Sequence, residues 1–205
     1  MGGVTCTRTA NSPNCYGYNN YSLTGVSVLR TAWYTNLASL TIGTDNHNTA
    51  LYRGLWSGVQ TTVAVVVYRI AGALRTYLYL YNDSNGPNST FVAFGLPSWF
   101  ELRVQRASGV GVSDGAATLY AGGGVYAALG EQILQLTGIP NYTSFGNDTR
   151  AVLGMHNMFA TGTSVGGSLI VDEWIMRNDD TPILFGVSES TFSPFLPYLR
   201  RRRRV

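Results

Sequence analysis

The stretch from Thr61 to Tyr81 restricts the fold more than any other part of the chain. Thr61–Ile70 (TTVAVVVYRI) is dense in β-branched residues, whose stiff side chains suit a pleated surface, and it predicts a central strand. Ala71-Gly72-Ala73 is a short turn, and Leu74–Tyr81 (LRTYLYLY) returns in alternation. Successive side chains of a strand point to opposite faces, so Tyr77, Tyr79 and Tyr81 share one face and Leu78 and Leu80 the other. The pair predicts an antiparallel hairpin.

The same period recurs along the chain. Trp99–Arg106 (WFELRVQR) sets Phe100, Leu102 and Val104 against Glu101, Arg103 and Gln105, a half-solvated strand. Val26–Ile42, Thr90–Phe94, Ala117–Ala121, Val125–Leu129, Val152–Phe159 and Ser168–Met176 are further strand candidates. Gln132–Leu136 predicts one helical turn. Gly43–Asn48, Asn82–Asn88 and Gly122–Gly124 are turn-rich. No segment carries a helical stripe of useful length. Eight to twelve strands joined by Gly, Asn and Ser turns predict an all-β, antiparallel sandwich or barrel.

Two segments lack any period. Residues 1–25 predict an N-terminal arm, residues 26–178 the sandwich, and residues 179–205 a C-terminal arm. The last holds Pro182, Pro194, Pro197 and four aromatics before the run Arg200–Arg204. That run distorts the charge. The chain is +3 overall, but residues 1–199 hold nine arginines against eleven acids, a net −2. A slightly acidic body with a basic tail argues against a duplex-reading surface, so nucleic acid is not an expected partner. The low charge, 12% of residues, leaves weak like-charge repulsion and suits repeated protein contacts.

The residues Trp99–Arg106, Ala117–Gly123 and Ser168–Met176 (SLIVDEWIM) stand in an order that resembles the concanavalin A-like lectin/glucanase superfamily, laminin-G-like branch. The resemblance spans residues 26–178. It implies a jelly-roll β-sandwich with extended terminal arms, of a kind found in phage structural proteins, and a fold that often binds glycans. Gly122 and Gly123 lack the acidic neighbour that family calcium sites use, so no metal and no cofactor are expected.

Chemistry-bearing constellations are sparse. A glycosidase of that superfamily needs two carboxylates on one strand face, whereas Asp172 and Glu173 are adjacent and point oppositely. Gly111–Gly115 and Gly162–Gly166 fit Gly-x-Ser-x-Gly, but no helical pattern follows either, as a nucleophile elbow requires. His47 and His156 are the only histidines, and His156 reads as a packed or edge residue. Trp33, Trp99 and Trp174 read as core. Tyr52, Trp56 and Tyr142, with Asn85 and Asn141 as polar partners, are the candidate glycan contacts. Cys6 and Cys15 are compatible with a local disulfide or with free thiols. The five Asn-x-Ser/Thr sequons read as chance.

These features predict a non-enzymatic structural protein of a virion, a phage capsid decoration, minor capsid or tail protein assembled in the host cytoplasm. Met1-Gly2-Gly3-Val4 lacks the basic start and apolar run of a secretory leader, and no apolar run is long enough to span a membrane. Major capsid or other virion subunits are the expected partners, in a homo-oligomer or lattice. Phe192, Phe195, Tyr198 and Arg200, Arg201, Arg202, Arg203 and Arg204 are the expected docking residues. A carbohydrate-binding, lectin-like module is the alternative.

Overall fold

The computed structural model describes residues 4–8, 15–57, 60–92, 99–122, 131–156 and 165–183. Among them the strands are β1 (Val4–Arg8), β2 (Cys15–Asn20), β3 (Val28–Ile42), β4 (Asn48–Trp56), β5 (Gln60–Ile70), β6 (Ala73–Tyr81), β7 (Pro87–Val92), β8 (Trp99–Gln105), β9 (Gly115–Gly122), β10 (Glu131–Ile139), β11 (Asp148–His156) and β12 (Val165–Arg177). One short helix, α1 (Tyr142–Gly146), precedes β11. The strands form two six-stranded antiparallel sheets. Sheet A has the order β1-β12-β3-β8-β9-β10, and sheet B has β2-β11-β4-β5-β6-β7. The fold is the expected β-sandwich jelly roll.

The predicted hairpin is β5 and β6, paired from Val63↔Leu80 to Ile70↔Ala73. Leu78 and Leu80 face the core, while Tyr77, Tyr79 and Tyr81 are half-buried on the outer face. The core fills the space between the sheets and centres on Trp33 of β3. Its indole lies between Tyr52 of β4 and Phe100 of β8, each 5.4 Å away and nearly parallel. Such aromatic pairs contribute about 0.5–1.5 kcal/mol each beyond their buried area; Trp33–Tyr52 ties the two layers together, while Trp33 and Phe100 are register partners within sheet A.

Two sequence expectations change. Gln132–Leu136 lies within strand β10, not in a helical turn. Register shifts between Gln132 and Leu134 and between Leu136 and Ile139 break its alternation and hide the strand. The segment expected as an N-terminal arm supplies one edge strand to each sheet. β1 pairs with β12, and β2 pairs with β11. β4 does not stand out in the sequence because nearly every residue in it is buried, which erases the one-sided pattern of a solvated strand.

Beyond β12 the chain crosses the outer face of sheet A. Asp180 accepts hydrogen bonds from Arg30 (2.9 Å from Nη2) and Arg103 (2.6 Å from Nε). Arg30 also donates to the fully buried Glu101 at 2.6 Å. The same Glu101 oxygen accepts the Ile183 backbone N–H at 3.2 Å. Ile183 is buried beside Ala32 and Trp99. Val125–Leu129, the second Gly-x-Ser-x-Gly serine (Ser164), Phe192, Phe195, Tyr198 and Arg200–Arg204 lie outside the described residues. No helix among the described residues is long and apolar enough to cross a membrane.

Candidate functional site

The outer face of sheet B is where chemistry-bearing side chains gather. Its register places Tyr18, Val152, Arg53, Ala64 and Tyr79 in one row across β2, β11, β4, β5 and β6. Directly paired residues share a face, so all five project outward. A second row holds His156, Ala50, Val66 and Tyr77. The middle of the face is floored by small residues, and larger side chains rise at both ends.

At the β2 end, Tyr16, Tyr18, Arg53, Leu55, Arg150 and His156 line a surface pocket of about 350 Å³, with Val152 below. Arg53 is only 8% exposed. Its Nε donates to Thr61 Oγ1 at 3.2 Å, and its Nη1 lies 2.6 Å from His156 Nδ1. A guanidinium has donors and no acceptor. In this contact Nδ1 therefore accepts, and the imidazole proton sits on Nε2. The Tyr16 ring lies 5.0 Å from the His156 ring. Arg150 sits over the Tyr18 ring at 5.0 Å, and its Nε donates to Asn20 Oδ1 at 2.9 Å.

The electrostatics of this pocket are one-sided. Burial holds the Arg53 guanidinium below the usual arginine value, and the nearby Tyr81 and Tyr16 hydroxyls oppose that displacement. Among the described residues the salt bridges join Arg30, Arg69 and Arg103 to Glu101, Asp45 and Asp180. Arg53 and Arg150 are in none of them. A buried charge is costly unless it finds partners, and those of Arg53 are the neutral Thr61 hydroxyl and the His156 ring nitrogen. No three His, Cys, Asp or Glu side chains gather into a metal-ligand set among the described residues.

At the β6 end stands a cluster of tyrosines. Tyr68 and Tyr77 have ring centres 4.7 Å apart, Tyr77 and Tyr79 are nearly parallel at 6.0 Å, and the Tyr79 hydroxyl donates to that of Tyr68 at 3.2 Å. Burial pushes the Tyr68 hydroxyl well above the usual tyrosine value. Behind β4, inside the sandwich, Asp148 Oδ1 accepts the Leu55 N–H at 2.9 Å and Oδ2 accepts the Thr62 hydroxyl at 2.6 Å.

The residues expected to contact a glycan are elsewhere. Tyr52 is fully buried in the core against Trp33 and cannot present its ring to a ligand. Asn141 is also fully buried; it accepts the Ala107 N–H at 2.7 Å and donates to the Gln105 carbonyl at 3.1 Å. Tyr142 lies in α1 under the Arg106 guanidinium, 3.7 Å from it. Asn85 is exposed at the tip of the β6–β7 loop, which Asp83 ties to α1 by accepting the Thr143 and Ser144 N–H groups. Trp56 is half-buried at the end of β4. Of the tryptophans read as core, Trp33 is central, Trp99 is buried in a satellite cluster, and Trp174 is half-buried with its indole N–H donating to Thr31 at 3.0 Å. Ser113 of the first Gly-x-Ser-x-Gly match lies in the loop before β9, not in a strand-to-helix turn. Cys6 and Cys15 lie on β1 and β2, edge strands of opposite sheets.

No protein-family model matches the sequence, and comparison with curated proteins finds no relative. Solved structures do resemble the fold. An alginate lyase from Pseudomonas aeruginosa superposes with a TM-score of 0.51 at 11% identity, over 82% of this chain and 77% of the lyase. The binding domain of botulinum neurotoxin serotype D superposes with a TM-score of 0.50 at 10% identity, over 85% of this chain and 39% of that domain. Both are jelly-roll sandwiches related to the concanavalin A-like superfamily. The virion role finds no support among these neighbours.

The expectation of a non-enzymatic protein is corrected. A lyase is among the structures that share the fold, and sheet B carries arginine, histidine and tyrosine in one pocket. A carboxylate pair is a requirement of glycoside hydrolysis, and eliminative cleavage needs no such pair. Sequence reasoning missed Arg53 and treated His156 as packing. The available signal was an arginine in the apolar run Ala50–Trp56 with no acidic residue near it.

Proposed function

We propose that the chain binds an acidic polysaccharide on the outer face of sheet B and cleaves it by β-elimination beside a uronate carboxylate. Arg53 carries this reading: a nearly buried cation, outside every salt bridge among the described residues, that opens onto a pocket. Arg53 takes the carboxylate and thereby acidifies the adjacent C5–H. Tyr16, acting as its phenolate, takes that proton. The C4–O bond breaks as the C4=C5 double bond forms, and the Tyr16 hydroxyl so formed gives the proton to the departing oxygen, which restores the phenolate, while His156 holds Arg53 through Nδ1. Neither water nor a cofactor enters the balance. Arg150 supplies a second positive charge at the pocket, and Tyr18, 61% exposed, offers a ring face to a sugar.

Alginate, the substrate in the name of the similar lyase, belongs to this class and is the first choice for assay. The test incubates the full chain with alginate and other polyuronides and follows the ultraviolet absorbance of the unsaturated product. Wild type should generate it, and Arg53→Ala should lose about 10²-fold or more in rate. An equally active Arg53→Ala chain, or neither binding nor product with any polyuronide, would refute the reading. Binding without product would reduce it to the lectin-like one.

A further inference from the structure

We infer that Tyr68, Tyr77 and Tyr79 form the far end of the same binding face, an aromatic platform that stacks pyranose rings and sets the length of oligosaccharide the protein recognises. The inference rests on the polysaccharide reading above and extends it past the Arg53 pocket.

The solvent face of an antiparallel sheet ordinarily carries polar side chains. Here the outward positions Tyr68, Tyr77 and Tyr79 are all aromatic, and they lie against the small residues Ala50, Ala64 and Val66. Tyr77 and Tyr79 are two positions apart on β6 and differ by only 19° in plane, at 6.0 Å. Tyr68 braces both, at 4.7 and 6.5 Å. A pyranose presents an apolar face of C–H groups and a polar rim, which matches the apolar ring and polar tip of tyrosine.

Position connects the platform to the pocket. Tyr18 and Tyr79 stand two strands to either side of Arg53 in the row, which ends at Ser89 on the edge strand β7. Four inter-strand steps of about 4.8 Å separate Tyr18 from Tyr79 by roughly 19 Å, about the length of four linked pyranose rings. A polymer crossing the strands with a carboxylate on Arg53 therefore brings a sugar ring onto Tyr79. The two ends read different chemistry. Arg53 and Arg150 answer to charge, whereas the tyrosine end answers to ring shape.

The experiment measures binding of uronate oligomers, dimer to hexamer, to the full chain by calorimetry. Affinity should rise from dimer to tetramer and then level. Tyr79→Leu should lose on the order of tenfold on the tetramer while binding the dimer as wild type does, and Tyr79→Phe, which keeps the ring, should retain the gain. Tyr77→Leu gives a second route should Tyr79→Leu fold poorly by thermal melt. An unchanged tetramer-to-dimer ratio in the leucine variants overturns the platform and leaves the Arg53 reading standing. An Arg53→Ala chain that binds the dimer as tightly as wild type overturns the Arg53 reading. Wild type that binds no oligomer overturns both.

Discussion

Replacing Asp148 with asparagine should flatten the pH dependence of stability between about pH 4 and pH 7. Asp148 is 2% exposed, between the sheets. Burial, the largest cause, pushes its carboxyl from the ordinary 3.8 up to about 6, while hydrogen bonds from Thr62 and Leu55 pull it back. The folded chain thus holds this proton more tightly than the unfolded chain does. Its contribution is fully present below pH 3.8 and is lost as pH rises through the folded value. A displacement of that size amounts to about 3 kcal/mol. Asparagine resembles the protonated carboxyl in having one acceptor oxygen and a donor. The variant should therefore match wild type at about pH 4 and exceed it by about 2–3 kcal/mol at about pH 8. Urea melts of both chains across that range measure it. Every other titrating group is common to the two chains and cancels in the difference. Curves that stay parallel, within about 0.5 kcal/mol, would refute the reasoning.

Gly54→Ala would place a Cβ 2.2 Å from Asp148 Oδ2 and 2.7 Å from Thr62 Oγ1; it should cost about 1–3 kcal/mol in a denaturant melt and, by moving the adjacent Arg53, weaken polyuronide binding. Glu101→Ala removes the buried partner of Arg30 and should destabilise by about 3–5 kcal/mol. Asp180→Asn, at the exposed end of the same network, should cost only about 1 kcal/mol or less. The Arg103 and Arg30 donors hold the Asp180 carboxyl down at about 2, so its contribution persists above pH 3.8 and fades as pH falls towards 2; acid melts of wild type and Asp180→Asn read that difference.

What was legible in the sequence follows from how each strand is buried. β5 and β6 are readable because β6 buries Leu78 and Leu80 on one side and leaves tyrosines half-covered on the other. β4 is not, since its outer side is covered as well. Missing β4 had two results for the site. Tyr52 reads as a glycan contact although it is a core ring, and Arg53 does not stand out. β10 was obscured differently, because its bulges place Ile133, Leu134 and Leu136 at a spacing that imitates a helical turn. The tyrosine face was legible as a face, but nothing local shows that it lies across from Arg53. That relation depends on Arg53↔Ala64 and Ala64↔Tyr79, pairings that only the folded register sets.

The wall of the pocket joins β2 to β11, and its Arg150–Asn20 hydrogen bond spans 130 positions of chain. Contacts of that separation carry a loop-closure cost and form slowly. The chain must be made to beyond β11 before its first strands can complete this wall. Under the proposed function, ligand binding would read out that both ends of the sequence have found their places, since β11 and β12 pair with β4 and β3 while β1 and β2 pair with β12 and β11.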